Sequence, residues 1–283
     1  MSPPPVVYSV IEPGIARIVL NRPEARNAQD TGLLYALNDA FDAAARDVAV
    51  KVILLAASGP HFSAGHDLRE TGSIADQMAP FEPVGTWCGF GCAGAEGRMA
   101  REKEIYLGLS ERWRNLPKPT IAEVQGKCIA GGLMLAWACD LIVASEDASF
   151  VDPVVAMGVC GVEWFLHPWE LGPRKAKELL FMAEAWSASE AMAFGMVNRV
   201  VPRDALADTV LGMARRIAQM PAFALKMTKE AVNRSVDAMG QRTATDTVFG
   251  LHQLCHAHNR QRFGTIVDPS GLPEAVRGKA GKR

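Results

Sequence analysis

Two glycine-centred segments are the parts of the sequence best suited to hold a developing negative charge. They read HFSAGHDL at residues 61–68 and GKCIAGGL at residues 126–133, and each follows a predicted strand. Glycine lets a backbone approach a ligand closely, and unpaired N–H groups at the start of a helix favour negative charge. Two such donors aimed at one carbonyl oxygen form an oxyanion hole. Taken alone, either segment is more often a tight bend.

A second cluster of reactive side chains lies near the end of the chain, at His252, Cys255, His256 and His258. His252 and His256 are separated by four residues on a predicted helix, a spacing that can bind zinc. The neighbouring sequence offers no acidic partner, so we interpret these residues as packing residues. Cys88 and Cys92 lack a second ligand pair, and we therefore predict no metal at either place.

Alternating strands and helices are expected to position the first two segments. Glu12-Pro13-Gly14 separates two β-type runs and predicts a hairpin. Asp30 can cap a helix that begins near Thr31, and a further helix is expected to begin near Gly131. This alternation predicts an α/β layer architecture. The predicted strands cover residues 6–11, 15–20, 51–57, 120–124 and 141–144.

The second half of the chain changes to helical periodicity, with predicted helices at about 206–217, 222–237 and 240–262. We therefore divide the chain into an α/β core at 1–200, a helical oligomerisation region at 201–265 and a C-terminal arm at 266–283. Residues 71–104 do not fit the rhythm of the core, because they form a long, aromatic and glycine-rich connection. Connections of this kind are usually functional or mobile loops.

Composition excludes several classes of protein. The 283 residues include 49% hydrophobic and 22% charged residues, with a formal net charge of −1, so no basic excess indicates a nucleic-acid partner. The most apolar window, residues 128–144, contains Asp140 and several small residues, which favours a buried core segment over a membrane span. Six cysteines and no recognisable signal peptide predict a cytoplasmic protein with reduced thiols.

Five motifs in order along the chain resemble those of the crotonase (enoyl-CoA hydratase/isomerase) family. The resemblance extends over about residues 6–262, and the combined order is highly specific. The motifs are NRPEARNA at 21–28, FSAGHDL at 62–68, KPTIA at 118–122, CDLIVA at 139–144 and ASEAMAFGMVNRVV at 188–201.

The resemblance implies a crotonase-like βαβ spiral core with a helical C-terminal region, assembled as a homotrimer or a dimer of trimers. It also implies an acyl-CoA thioester as substrate, with coenzyme A as part of that substrate and no separate cofactor. The backbone N–H groups of His66 and Gly131 would form the oxyanion hole. The family pattern places five further residues along the coenzyme A path, which are Ala25, Arg26, Ala64, Asp67 and Leu68.

The sequence departs from the family at both glutamates that hydratases use to handle water. The corresponding positions are Met134 and Val154. A positioned acid or base contributes about 10²–10⁴-fold to a rate, so hydration by the usual route should be very slow. We expect an isomerase, a lyase or an atypical hydratase that stabilises a thioester enolate. A catalytically silent acyl-CoA binder or assembly subunit, and an ordinary enoyl-CoA hydratase of fatty-acid breakdown, remain as alternatives.

Three residues are candidates for the missing acid or base. Glu163 lies one residue beyond the position where dienoyl-CoA isomerases and chlorobenzoyl-CoA dehalogenases place an acidic residue. Asp152 precedes Val154 by two residues, so on an extended strand both side chains would share a face. The imidazole of His66 has a pKa suited to proton transfer if it turns towards the thioester. The alternatives are a surface or capping carboxylate for each acid, and an imidazole turned towards coenzyme A or solvent.

The segment that follows Leu68 is about twenty residues longer than the family's usual connection. Its aromatic residues include Trp87 and Phe90. We predict that these two residues line the acyl pocket together with Met134 and Val154 and cover it as a lid. The alternative is that residues 71–104 form an oligomer contact.

Overall fold

A computed structural model describes residues 3–272 of the chain. Its main feature is a six-stranded sheet with strand order β1-β2-β3-β4-β6-β9, beside a three-stranded sheet with order β5-β7-β8. The strands are β1 (Val6–Glu12), β2 (Ile15–Leu20), β3 (Val52–Ala57), β4 (Thr120–Val124), β5 (Lys127–Ile129), β6 (Leu141–Ser145), β7 (Ser149–Val151), β8 (Trp186–Ser187) and β9 (Arg199–Val201).

Helices cover the sheets and form the C-terminal part of the described chain. They are α1 (Thr31–Arg46), α2 (Ile74–Met78), α3 (Ala95–Glu102), α4 (Leu109–Arg114), α5 (Gly131–Trp137), α6 (His167–Leu171), α7 (Pro173–Met182), α8 (Ala188–Ala193), α9 (Leu206–Ala218), α10 (Ala222–Ala238) and α11 (Gln241–Phe263). A π-helical segment, Lys103–Gly108, joins α3 to α4. Such segments often occur at functional sites.

The core follows from the two faces of the large sheet. β1 and β2 are antiparallel, and the remaining pairings of this sheet are parallel. Successive side chains of a strand point to opposite faces, and both faces of β3 are buried. Ile53 and Leu55 pack in the main core with α1, whereas Val52 and Leu54 pack against α9. An apolar strand of this kind is expected in a parallel sheet that is covered on both sides.

The predicted elements agree closely with the structure. The hairpin, the later strands and the three long C-terminal helices are present, and Asp30 Oδ1 accepts a hydrogen bond from Leu33 N at 2.8 Å. The helix α9 lies within the predicted helical oligomerisation region at 201–265, whose role in assembly stays a prediction. Leu206 and Val210 bury this helix against the sheet, so α9 is packed as part of the core.

The predicted C-terminal arm is described up to residue 272. Asp268 N donates a hydrogen bond to Met157 O at 2.8 Å, and Leu272 is buried, so the first part of the arm packs on the core. The rest of the predicted arm, at 273–283, lies outside the described residues. Within residues 3–272, no helix combines the length and the apolar character needed to cross a bilayer.

Candidate active site

The two glycine-centred segments lie side by side, as the sequence predicted. Ser63 and Cys128 form an isolated parallel bridge between them. A methyl group added at Gly65 would lie 3.2 Å from Gly131 N. The Ser63 hydroxyl stabilises the first segment, because it accepts a hydrogen bond from Gly65 N at 3.2 Å and donates one to Asn27 O at 2.8 Å.

The backbone N–H groups of His66 and Gly131 are free to bind a ligand. Gln29 N donates to Gly65 O and Asp67 N donates to Gln29 O, so the N–H of His66 itself points away from Gln29. Gly131 is the first residue of α5, where the N–H has no partner within the helix. No acceptor for either group is found among the described residues. This geometry is the one that an oxyanion hole requires.

A side chain at Gly131 would displace the side chains of His66 and Gln29 from their positions in the site. A methyl group there would lie 2.6 Å from Cε1 of His66 and 2.9 Å from the Gln29 side-chain oxygen. The preceding residue, Ala130, has φ 47° and ψ −109°. A non-glycine residue at positive φ is strained, and such strain is concentrated at functional sites.

The imidazole of His66 forms a dyad with Glu163. Nε2 of His66 lies 2.9 Å from Glu163 Oε2, and the ring stacks on Tyr106 with its centroid 3.7 Å away. Nδ1 of His66 is buried and has no hydrogen-bond partner in the described part of the chain. The ring lies against Gly131, so this unpaired nitrogen is next to the predicted oxyanion hole.

The charge of Glu163 determines the protonation of this pair. Burial raises the pKa of the carboxyl, but His66 and His252 lower it more strongly, and the net pKa is well below its usual range. Glu163 is therefore an ionised carboxylate, which can accept hydrogen bonds and cannot donate them. In the neutral imidazole of His66, the proton then lies on Nε2, and the lone pair lies on Nδ1.

Asp152 does not face the reaction centre, so the placement predicted from its distance to Val154 is wrong. Its Oδ2 lies 2.9 Å from His167 Nε2 and accepts a hydrogen bond from Val162 N at 3.1 Å, while Oδ1 accepts one from Val154 N at 3.3 Å. The short helical turn after β7 ends the extended strand and turns the two side chains apart. Asp152 instead fixes the loop that presents Glu163.

A cleft of about 1380 Å³ opens beside the dyad. His66, Glu163 and Tyr106 line it, together with an apolar wall of Val154, Met157, Val159 and Val162. Its polar wall is formed by both ends of the long connection and by α11, through Arg98, Arg101, Glu102, His252 and His256. A space of this size suits a large acyl group.

Two of the four predicted acyl-pocket residues line this cleft, and two do not. Val154 and Phe90 are part of its wall. Met134 faces the main hydrophobic core from α5 and does not reach the cleft. Trp87 lies in an exposed part of the long connection, with 42% of its surface accessible. Met134 and Trp87 thus do not line this cleft, and their contact with an acyl group stays a prediction.

The residues expected along the coenzyme A path lie in two neighbouring loops, at residues 25–26 and 64–68. Asp67 and Leu68 line the cleft, and Ala64 N donates a hydrogen bond to Arg26 O at 2.9 Å. Ala25 is buried and Arg26 is exposed. Coenzyme A contacts at these five positions stay a prediction.

Several residues that line the cleft could not be recognised from the sequence. Glu102 ends α3, and Tyr106 lies in the π-helical segment that follows it. Neither residue matches a sequence motif, and only the packing of these elements beside the cleft brings them to the site. The absence of an acidic partner for His252 and His256 was a wrong expectation. Glu102 lies beside both histidines although it is about 150 residues away in the sequence.

The family model described as Enoyl-CoA hydratase/isomerase matches residues 10–84 and 91–266. The provisionally named enoyl-CoA hydratase EchA13 of Mycobacterium tuberculosis is 49% identical over 273 residues, with 92% of this chain and 85% of that protein covered. The 1,2-epoxyphenylacetyl-CoA isomerase of Escherichia coli is 31% identical over 230 residues, with 80% and 81% covered.

Solved structures show the same similarity. The crystal structure of a probable enoyl-CoA hydratase from Mycobacterium smegmatis superposes with a TM-score of 0.83 at 48% identity. That match covers 93% of this chain and 98% of the other. The βαβ architecture and the helical C-terminal region are therefore shared over nearly the full length.

Proposed function

Because the chain belongs to the enoyl-CoA hydratase/isomerase family, we propose that it is an acyl-CoA isomerase in which His66 and Glu163 carry out proton transfer. The observation that carries this proposal is the 2.9 Å contact between His66 Nε2 and Glu163 Oε2. It leaves Nδ1 of His66 unpaired beside Gly131. A nucleophile or base that is oriented by a buried carboxylate is a recurrent catalytic arrangement.

The proposed reaction begins with the thioester carbonyl oxygen held by the N–H groups of His66 and Gly131. Nδ1 of His66 takes a proton from the α-carbon, and the C–H electron pair moves towards the carbonyl to form an enolate. The oxyanion hole stabilises this negative charge, and Glu163 stabilises the imidazolium. When the acyl chain carries a β,γ double bond, this enolate is a dienolate, and the imidazolium returns the proton at its γ-carbon. The double bond then moves to the α,β position, and no co-reactant is consumed.

The substitutions at the two usual glutamate positions support this assignment. Met134 and Val154 cannot transfer a proton, and the His66–Glu163 pair is the acid–base group that lies against the oxyanion hole. A proton shuttle needs a single group that can accept a proton and return it, and a histidine does this near neutral pH. Hydration instead needs a base for water and an acid for the α-carbon.

Two other functions remain as candidates. Ordinary hydration of an enoyl-CoA is favoured by the name of the 49% identical mycobacterial relative. In that case Nδ1 of His66 would activate a water molecule in place of a glutamate. A silent acyl-CoA binder would use the oxyanion hole without proton transfer.

Deuterium exchange at the α-carbon of bound acyl-CoA tests the proposal. We expect exchange in wild type on at least one member of a panel that includes bulky and cyclic acyl groups. His66→Gln and Glu163→Gln should each slow exchange by about 10²–10⁴-fold. The double variant should be little worse than either single variant, because residues that act as a unit are not additive.

His258→Gln is the matched control, since His258 is an exposed histidine of α11. It should exchange at the wild-type rate. Absence of exchange by wild type over the whole panel would favour the silent binder. Hydration of crotonyl-CoA at usual family rates, unaffected by His66→Gln, would favour the ordinary hydratase.

A further inference from the structure

A cluster of three buried side chains lies in the polar wall of the cleft, apart from the two oxyanion donors. His252 and His256 come from successive turns of α11, and Glu102 comes from the end of α3. All three residues are buried, and one ligand atom from each lies within 4.8 Å of the other two. Two imidazoles and one carboxylate are a ligand set that divalent transition metals prefer.

The tautomers of both histidines are fixed by the backbone. Nδ1 of His252 lies 2.8 Å from Gly161 O, and Nδ1 of His256 lies 2.6 Å from Ile266 O. A carbonyl oxygen can only accept, so each Nδ1 carries a proton and donates it. Both Nε2 atoms are therefore lone-pair donors when the rings are neutral. Metal-binding histidines are usually oriented by this kind of second hydrogen bond.

One cation could lie between the ligand atoms after a small adjustment of the side chains, because one atom from each residue lies within 4.8 Å of the other two. Nε2 of His252 lies 3.7 Å from Glu102 Oε2, and Nε2 of His256 lies 3.6 Å from Glu102 Oε1. These separations are too long for hydrogen bonds. A tetrahedral ion with metal–ligand distances of about 2.0–2.2 Å separates its ligand atoms by roughly 3.3–3.6 Å.

The buried nitrogen of His252 gives independent support. Its Nε2 has no hydrogen-bond partner within residues 3–272, and only 3% of the residue's surface is exposed to solvent. An unsatisfied buried nitrogen costs free energy unless something binds it. Glu163 Oε1 lies 3.6 Å from this nitrogen as well, so two carboxylates face it. Glu102 Oε2 already accepts a hydrogen bond from the Gln253 side-chain amide, so Glu102 Oε1 and the two Nε2 atoms are the electron-pair donors left to hold a positive charge.

We propose that Glu102, His252 and His256 bind one divalent transition-metal ion of the Zn²⁺ type at the wall of the acyl cleft. All three ligands line the cleft, so the ion's remaining position faces it and can take water or an oxygen of the acyl group. The ion would also join α11 to α3. This proposal does not depend on proton transfer by His66, and its test measures metal binding directly.

A proton is the competing cation. A protonated Nε2 on His252 would neutralise Glu102 and Glu163 without any metal, and the guanidinium of Arg98 is a further positive charge near Glu102. The two possibilities differ in a measurable way. A proton-filled cluster binds no stoichiometric metal after removal of trace ions, whereas the proposed site does.

The experiment uses the full chain after treatment with a chelator and dialysis. Isothermal titration calorimetry and elemental analysis with Zn²⁺ should give one ion per chain. Co²⁺ should produce visible d–d absorption, and X-ray absorption of the Zn²⁺ form should show imidazole nitrogens at about 2.0–2.1 Å. Loss of an outer hydrogen-bond partner typically weakens metal binding by about 10–100-fold. Glu102→Gln and His256→Gln each remove a direct ligand, so they should weaken Zn²⁺ binding by more than this.

His258→Gln serves again as the control, because it removes an exposed histidine from the same helix. It should bind Zn²⁺ as wild type does. The proposal is overturned if wild type takes up no stoichiometric ion, or if bound Co²⁺ and Zn²⁺ lack imidazole ligands. Because both spectroscopic measurements are made on wild type, the test stands even if a ligand variant does not fold. If wild type binds the metal but exchanges no deuterium at the α-carbon of any acyl-CoA, the proposed isomerase activity alone is overturned.

Discussion

At the scale of single residues, two glutamates of the same region show how surroundings decide charge. Burial raises the pKa of both carboxyls. For Glu163, His66 and His252 reverse that effect, so its pKa falls below the usual range. For Glu170, Arg114 compensates burial only in part, and the pKa rises to about 7. Glu163 is thus an anion in the cleft, and Glu170 holds its proton until neutral pH.

The raised pKa of Glu170 predicts a pH-dependent stability. The folded chain holds the proton up to about pH 7, whereas the unfolded chain releases it near 4.5, the ordinary pKa of a glutamate side chain. The stabilising effect is full below pH 4.5 and is lost as pH rises through 7. Glu170→Gln cannot ionise, so at pH 8.5 it should be more stable than wild type by about 1–3 kcal/mol. Denaturant unfolding at pH 8.5 measures this difference.

The comparison at low pH supplies the internal check. At pH 4 the gain from Glu170→Gln should nearly disappear, because this carboxyl is then mostly protonated in both the folded and the unfolded chain. Glu184→Gln is the control, because Glu184 is an exposed glutamate in the loop after α7. It should have little effect on stability at either pH. An equal gain at both pH values would contradict the ionisation argument.

The sequence indicated the two backbone segments of the predicted site more clearly than the contacts between its side chains. The two glycine-centred segments follow from glycine spacing and strand order, which are local properties, and the family resemblance implies that their donors are at His66 and Gly131. The contact of His66 with Glu163 joins residues 97 positions apart, and it depends on how a loop folds back. Asp152 shows the same limit, because its contact with His167 could not be inferred from its distance to Val154.

At the scale of elements, the long connection after Leu68 is anchored by one buried carboxylate. Glu104, in the π-helical segment, accepts hydrogen bonds from Val84 N and Gly85 N and contacts the Tyr35 hydroxyl at 3.3 Å. Tyr35 also stacks on Phe81, with ring centroids 4.5 Å apart. The connection therefore has a fixed attachment point although much of its surface is exposed.

Loss of this attachment should loosen the connection. Glu104→Ala leaves two backbone donors and one hydroxyl without their acceptor, at a cost of about 1–3 kcal/mol. We expect faster amide hydrogen exchange and faster proteolysis within residues 79–94, with the strands of the large sheet unchanged. Glu82→Ala, an exposed change in the same connection, is the control and should leave both rates near wild type.

The response to acyl-CoA distinguishes the two roles predicted for this connection. A lid should become protected when a bound acyl-CoA fills the cleft, first around Phe90, which lines it. Exchange that is unchanged by any acyl-CoA that binds would contradict a lid. Exchange that depends on protein concentration would instead indicate an oligomer contact.

Elements were predictable where one physical signal dominated. The buried strand β3 and the helices α9, α10 and α11 have clear periodicity over their whole length. Within residues 71–104 the sequence showed glycine and aromatic residues without a period, and the structure there contains α2 and α3 with a loop between them. The short α3 packs against α11, where Gln253 donates a hydrogen bond to Glu102, so its formation depends on distant residues.

At the scale of the whole molecule, large apolar side chains are exposed on α10, α11 and α7. Of the seventeen residues of α10, Lys229 alone is buried. Phe223 is 72% exposed, Leu254 of α11 is 64% exposed, and Phe181 of α7 is 75% exposed. Large exposed apolar patches usually mark interaction sites. The sequence resemblance predicts a homotrimer or a dimer of trimers, and these helices offer the surface for it.

A charge placed in this surface should dissociate the assembly. Light scattering after size exclusion should give wild type a mass of three or six times 30.5 kDa. Phe223→Glu should shift the mass towards a single chain, because an unpaired carboxylate is costly in an apolar interface. Val48→Glu is the matched control, since Val48 lies in the loop after α1 and is 97% exposed. A monomeric wild type, or equal masses for wild type and Phe223→Glu, would contradict assembly through α10.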